Sequence, residues 1–297
     1  MNRASLSADF LLLLTAAIWG FGFVAQRMGM DHVGPFTYNG VRFGLGSLTL
    51  IPLLFRSRGK APPPALRLPP GKRAVGVLAL GAVLFAAASL QQVALLWTTA
   101  GKAGFITGLY VVIVPLLGLF WGQPLLPANA LGALLAGVGL YLLSVTASLS
   151  LEPGDGLLLL SAFLWSAQVL LVAWLAPRSR PVELAGAQFS ICSALSLAVA
   201  AVCEPVEAAA LRAAAGPILY GGVLSVGVAY TLQVVAQQRA HPAHASILMS
   251  LEAVFAALGG GLLLGERLTP RALAGCALML AGMILSQQGG RRERRRR

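Results

Sequence analysis

The sequence predicts an all-α integral membrane protein of ten transmembrane helices, built as two inverted five-helix repeats around a central cavity. Three observations carry this. The 297 residues are 57% hydrophobic and only 11% charged, with a mean hydropathy of +0.79, whereas a soluble domain carries roughly 25% charged residues. The apolar residues gather into ten stretches near the ~20 residues that a helix needs to cross a bilayer. The two halves of the chain also resemble each other at a nearly constant offset.

Cutting at charges, prolines and turn clusters places the spans near 8–29, 34–55, 73–97, 102–121, 127–148, 156–176, 181–203, 214–237, 242–265 and 270–288. No long run alternates with period two, which disfavours a transmembrane barrel. Arg3 followed by an apolar run from Phe10 to about Ala25, without an A-x-A-like site, fits a retained first span better than a signal peptide. The stretch RSRGKAPPPALRLPPGKR is a semi-rigid loop, and SLSLEPGDG at 148–156 marks the midpoint. The chain therefore divides into a first repeat at 1–150, a second at 151–290 and a basic tail at 291–297.

The net charge is +12, and twelve of the 22 basic residues sit in two clusters, at 56–73 and 291–297. Beside apolar spans such clusters are cytoplasmic flanks, and nucleic acid is not an expected partner. With the N-terminus inside, 16 Lys and Arg fall on the cytoplasmic side and 5 on the other, Arg42 lying within a span. Ten spans with both termini cytoplasmic, in the cytoplasmic membrane, fit that bias. Cys192, Cys203 and Cys276 are odd in number and lack CxxC spacing, so neither a disulfide framework nor a metal site is expected.

LLLLTAAIW at 11–19 matches LLLLSAFLW at 157–165, aligning Trp19 with Trp165 at an offset of 146. GLFWGQPLLP at 118–127 matches GLLLGERLTP at 261–270, aligning Gly118 with Gly261, Gly122 with Gly265 and Pro127 with Pro270 at an offset of 143. Five spans is an odd number, so the second half enters the membrane from the opposite side. Inverted repeats of this kind recur in secondary transporters, where they let a site alternate between two faces. Duplication kept only for packing is the plainer alternative.

Together WGFGFVAQ at 19–26, NGVRFGLGS at 39–47, GFITGLYVVIVPLL at 104–117 and SLEAVFAALGGGLLLGERLTP at 250–270 resemble the drug/metabolite transporter superfamily, in its ten-helix EamA-type branch. The resemblance covers both halves. Gln123 stands where the second half has Glu266, and Ala253 follows Glu252 where many members have Pro. The resemblance implies a permease that exports a small polar or amphipathic metabolite, such as an amino acid, an amine or a drug-like molecule. Flipping of a lipid-linked head group, also found in the superfamily, is the alternative; an intramembrane enzyme or a receptor fits less well.

Among the residues themselves, Glu252 is the most informative carboxylate. It lies about ten residues into the ninth span, where a charge such as Asp costs ~2.5–3.5 kcal/mol on insertion scales. A proton-coupling or substrate-amine site and a structural ion pair, with Arg42 as partner, explain it equally. Arg42 lies in the second span with Asn39 one turn before it; its fork suits a carboxylate, and a helix-end contact is the competing explanation. Of the amides in apolar surroundings (Gln26, Gln91, Gln92, Gln168, Gln188, Gln233, Gln237), Gln91 and Gln233 stand out, at an offset of 142 in corresponding spans. Interhelical hydrogen bonding accounts for the others. Trp19 and Trp165 lie mid-span, away from the interfacial aromatic belts, and with Trp97, Tyr110 and Tyr230 are candidates to line a cavity.

His241 and His244 flank Pro242 at the start of the ninth span. They are candidate gating residues through protonation or simple helix-end contacts; a metal pair would need more ligands nearby. Gly118/Gly122 and Gly261/Gly265 have the G-x-x-x-G spacing that lets helices approach closely, as do Gly40/Gly44 and Gly104/Gly108. There is no P-loop, no Ser–His–Asp set and no HExxH, so neither an enzyme nor a bound cofactor is expected. The expected partners are a small-molecule substrate, membrane lipid and protons as coupling ion.

Overall fold

The computed structural model describes residues 3–56, 66–97, 100–144, 153–256, 258 and 269–294. Among them there is no strand, and, besides a short helix at Ala208–Ala213, ten main helical segments follow one another. These are α1 (Arg3–Met30), α2 (Pro35–Thr49, continued by Ile51–Arg56), α3 (Pro70–Ala94), α4 (Ala100–Gly108 and Tyr110–Phe120), α5 (Pro127–Ser144), α6 (Pro153–Leu175), α7 (Pro181–Cys203), α8 (Ala215–Gln237), α9 (Pro242–Ala256) and α10 (Pro270–Arg294). Each starts within a few residues of its expected span.

Six of the segments are long and apolar enough to cross a membrane: Ser7–Met30, Pro70–Ala94, Ala103–Phe120, Pro153–Arg178, Pro181–Cys203 and Ala215–Gln237. Pro127–Leu142, Pro242–Ala256 and Pro270–Ser286 are shorter apolar helices. Proline opens α2, α3, α5, α6, α7, α9 and α10, at the one turn of a helix where a missing N–H costs nothing. The basic tail is not a separate appendage at its start, because α10 runs on through Arg291 to Arg294.

The sequence treats the spans as continuous, and the structure interrupts four of them. α2 breaks at Leu50, where Pro52 has no N–H to return to the preceding turn. α4 breaks at Leu109 and α9 at Ser250–Leu251. In both, the backbone tightens to an i→i−3 bond, Leu109 N to Ile106 O and Leu251 N to Leu248 O, each 3.2 Å. α8 widens into a π-helical stretch at Tyr220–Tyr230, a rare form that is frequent at functional sites.

The main packing pairs are α1 with α8 and α9, α2 with α7 and α8, α3 with α6 and α7, α4 with α6 and α9, and α5 with α10. Exchanging each helix with the one five places away returns the same set of pairs. Leu12, Phe43, Leu80, Leu84 and Phe189 are fully buried at the centre. The outer surface is apolar as well: Phe120 is 87% and Val202 85% exposed, a surface that hydrocarbon solvates and water does not.

The tightest crossing joins α5 to α10. A Cβ on Gly132 would sit 2.8 Å from Gly282 O, and one on Gly139 would sit 2.5 Å from Gly275 O. Gly118 and Gly122 do not serve the close approach expected of them. A Cβ at Gly118 would find only ordinary contacts with Gln123 and Leu170, and Gly122 has nothing within 4 Å. Gly122 instead ends α4 with φ +69°, a left-handed conformation that glycine adopts without strain. Gly261 and Gly265 lie outside the described residues.

Candidate functional site: a polar cavity between six helices

α1, α3, α4, α6, α8 and α9 surround a cavity that Arg42 of α2 also reaches. Its volume, measured as the space open to the centre of a water molecule, is only about 40 Å³. Spacing explains the lining. Trp19, Phe23 and Gln26 share one face of α1; Trp165, Gln168 and Val169 share one face of α6; Tyr230 and Gln233 come from successive turns of α8.

Of the residues singled out in the sequence, Trp19, Arg42, Gln91, Tyr110, Trp165, Tyr230, Gln233 and Glu252 all line this cavity. Asn39 does not, but its Oδ1 accepts from Arg42 Nε at 3.0 Å. Trp97 is 49% exposed beyond the end of α3 and takes no part. Phe23, Thr107, Val169, Ser225 and Met249 complete the wall without having been singled out. Their residue types are common in any membrane helix, so only the fold brings them inward.

The polar contacts fall into a few small sets. The Tyr110 hydroxyl donates to Glu252 Oε1 at 3.2 Å. Gln91 Nε2 donates to Gln26 Oε1 at 3.1 Å, and Gln91 Oε1 accepts from Trp165 Nε1 at 2.9 Å. Gln168 and Gln233 form a reciprocal amide pair, at 3.1 and 3.4 Å. The Gln26–Gln91 and Gln168–Gln233 pairs stand 142 residues apart, member for member. Trp19 Nε1 donates to the Ser225 carbonyl at 3.3 Å inside the π-helical stretch.

Tyr230 is packed by Trp19 (centroids 4.5 Å apart), Phe43 (5.9 Å), Trp165 (6.0 Å) and Phe189 (6.0 Å). The Arg42 guanidinium lies 5.0 Å from the Phe43 ring and 5.2 Å from Tyr38, within reach of cation–π attraction. No ion pair joins Arg42 to Glu252 among the described residues. Beyond the Nε bond to Asn39, the guanidinium N–H groups have no protein acceptor among the described residues. The cavity thus offers one carboxylate, one guanidinium, four amides and an aromatic wall.

His241 and His244 sit away from the cavity, at the end of the bundle where α1 begins. His244 Nε2 is 3.0 Å from Asp9 Oδ1, and its Nδ1 is 2.8 Å from Ser286 Oγ. No carboxylate lies near His244 in sequence; α1 brings one from 235 residues away. Among the described residues, no group of three or more His, Cys, Asp or Glu could hold a metal ion.

The structure thus places a buried polar cavity inside an apolar helical bundle. The EamA-like transporter family model matches this chain twice, at residues 6–145 and 152–287. The chain belongs to that family and is a multi-pass membrane transporter, not an enzyme. An uncharacterized transporter of Archaeoglobus fulgidus is 31% identical over 285 residues, covering 94% of this chain and 85% of that one. A second uncharacterized transporter of the same organism is 31% identical over 166 residues, 54% of this chain and 55% of its own length. A crystal structure at 21% identity superposes with a TM-score of 0.76 over 98% of this chain and 99% of that chain, which shows a shared fold.

Proposed function

We propose that the protein exports a small polar or amphipathic metabolite, an amino acid, amine or drug-like molecule, across the cytoplasmic membrane by alternating access. The observation that carries this reading is the mixed lining of the cavity, in which Glu252, Arg42, Gln91 and Gln233 face Trp19, Trp165, Tyr110 and Tyr230. Such a lining replaces the hydration of polar groups while the rings cover an apolar body. Two inverted five-helix repeats, 1–150 and 151–290, supply the two exchangeable conformations. The helix pairings that recur on exchanging each helix with the one five places on support that architecture. Glu252 is the proton-coupling group and Arg42 the contact for an anionic substrate group. Export rests on the family resemblance, and cytoplasmic termini rest on the 16 to 5 distribution of Lys and Arg.

The test is a thermal-shift screen of purified protein against amino acids, amines, nucleosides and cationic drugs, followed by flux into liposomes. A ligand of the folded state raises its apparent stability by mass action. The expected result is a stabilising class whose effect is lost in folded Glu252→Gln or Arg42→Ala variants, and whose members cross the liposome membrane. Stabilisation that survives both substitutions would place the binding site elsewhere.

A second reading has one observation in its favour. Between α4 and α5 an apolar groove of about 460 Å³, bordered by Pro115, Leu116, Leu134 and Tyr141, opens on the outer surface. A groove of that kind fits an acyl chain, and translocation of a fluorescent lipid probe with no metabolite flux would establish a flippase instead.

A further inference from the structure

Much of the cavity wall comes in matched pairs from the two halves of the chain. Trp19 and Trp165, like Phe23 and Val169, stand 146 residues apart, and Thr107 and Met249 stand 142 apart. Arg42 has no such partner in the wall. At the offset of 146 its counterpart is Gln188 of α7, and two observations fix that register. Pro35 opens α2 as Pro181 opens α7. Phe43 and Phe189, the residues that follow Arg42 and Gln188, both pack on Tyr230, at 5.9 and 6.0 Å.

The two positions lie toward opposite ends of the bundle. α2 and α7 run antiparallel: Ser193 Oγ donates to Gly40 O at 2.7 Å, and further along Ser47 Oγ meets Ser190 Oγ at 2.7 Å. Arg42 and Gln188 each come seven residues after the proline that opens their helix, about 10 Å along the axis. Arg42 is therefore near the end where α2 begins, and Gln188 near the end where α7 begins. The cavity reaches the first and stops short of the second.

Gln188 is 0% exposed, and neither its Oε1 nor its Nε2 has a hydrogen-bond partner among the described residues. The interhelical bond that the sequence suggests for this glutamine is not made. Leu184 and Cys192, one turn to either side, belong to the apolar core. Sealing an amide without a partner costs free energy, and native proteins keep such groups few. Arg42 differs in carrying its partners on its own helix: Asn39 Oδ1 at 3.0 Å and the rings of Tyr38 and Phe43.

We propose that Gln188 is a substrate contact of the opposite conformation: when the bundle opens at the end where α7 begins, the Gln188 amide enters the cavity from that side, in the place that Arg42 holds on this one. Inverted repeats exchange roles as one part of the bundle rocks against the other. A position that lines the cavity in the first half then lines it in the second. There the amide gains the partners it lacks here. Its oxygen accepts from an ammonium or hydroxyl group, and its N–H groups donate to a carbonyl or carboxylate. This inference rests on the alternating-access reading above and deepens it by naming a binding residue for the second face.

The experiment uses full-length protein in sealed membrane vesicles of both orientations, in a background lacking Cys192, Cys203 and Cys276 that keeps the wild-type melting temperature. Arg42→Cys, Gln188→Cys and Ser193→Cys are each treated with a charged, membrane-impermeant methanethiosulfonate. Ser193 is the control, buried where α2 crosses α7. Arg42→Cys should be labelled from one side only, and Gln188→Cys from the other side only. The Gln188→Cys rate should be roughly 0.1–10% of that of a free thiol, the usual population of a minor conformation. Ser193→Cys should be labelled from neither side. A Gln188→Cys thiol as inert as that control, or labelled from the same side as Arg42→Cys, overturns the proposal.

Gln188→Leu tests the same point without a label. A glutamine that held this conformation together would leave the protein less stable when replaced. A sealed, unpaired amide should instead give a melting temperature higher by roughly 2–4 °C, and a lower one overturns the proposal. Liposome flux of the screened metabolites is scored separately. Labelling of Arg42→Cys and Gln188→Cys from opposite sides without any flux would sink the transport reading and leave the exchange standing. Flux in vesicles whose Gln188→Cys stays inert would do the reverse.

Discussion

Tyr110 and Glu252 hydrogen-bond to each other across the cavity at 3.2 Å, and they occupy the same place in the two halves of the chain, 142 residues apart. Each also follows a break in its helix, at Leu109 and at Leu251. The breaks free backbone from the regular ladder beside the pair, and Gly20 of α1 closes directly on the Glu252 carbonyl: a Cβ there would lie 2.6 Å from that oxygen. Three helices thus meet at Glu252, whose carboxylate has as its only hydrogen-bond partner among the described residues a group that cannot neutralise it.

That arrangement separates two substitutions. Glu252→Gln keeps the shape and the acceptor for Tyr110 but removes the ionisable group, so flux should lose its dependence on a pH gradient while substrate exchange continues. Tyr110→Phe keeps the carboxylate, so the rate should fall while the pH-gradient dependence remains. Liposome flux with and without an imposed gradient checks both.

At the α5–α10 crossing no side chain separates the two backbones. Gly132→Leu and Gly282→Leu should each destabilise the protein by about 1–3 kcal/mol, the usual range for overpacking, and the double variant should be no better. Gly156→Ala is the control: nothing lies within 4 Å of its Cβ position in α6, so it should be neutral or stabilising by up to ~1 kcal/mol. Unfolding in mixed detergent micelles reads all four.

Glu204, just after α7, caps a neighbouring helix. Its Oε1 accepts from Phe36 N at 2.9 Å and its Oε2 from Thr37 N at 2.7 Å, at the first turn of α2. Glu204→Ala should cost about 1 kcal/mol, the typical value of a lost cap, and Glu204→Gln should recover only part of it because an amide does not complement the helix dipole. Hydrogen exchange should show the start of α2 loosening first.

The two amide pairs make a further test. Gln168→Leu strands the Gln233 amide, which is 0% exposed, and should cost on the order of 1 kcal/mol. Because membrane hydrogen bonds average only about 0.6 kcal/mol, the Gln168→Leu/Gln233→Leu double variant should be no worse than either single one. Losses that simply add would mean that the two amides are not coupled.

Much of this fold is legible in the sequence because hydrocarbon demands a simple answer: a long apolar segment has to be a helix, and proline marks where seven of the ten begin. The offsets of Trp19 and Trp165 or of Gln91 and Gln233 identify cavity residues without coordinates, since repetition of a costly residue type is informative. Gln26 and Gln168 carry the same offset and the same signal. Thr107, Ser225 and Met249 carry none, because their inward direction depends on helix rotation. The glycine spacing misled at Gly118 and Gly122: Gly118 meets only ordinary contacts, and Gly122 serves the turn at the end of α4. The real crossing, Gly132 and Gly139 against Gly275 and Gly282, has a seven-residue spacing in both helices at an offset of 143. The His244–Asp9 contact was beyond reach, since it joins the first and ninth helices.

The cavity admits water-sized centres over about 40 Å³, whereas pockets that hold drug-sized ligands measure roughly 300–1,000 Å³. On the proposed alternating-access reading, room for a metabolite is made by moving helices, because the lining side chains are already packed on one another. Turnover is then governed by a barrier of repacking, on the microsecond-to-millisecond scale or slower, and not by diffusion through a standing passage. Such a carrier slows steeply on cooling, and its flux saturates at a ceiling that no substrate gradient can raise.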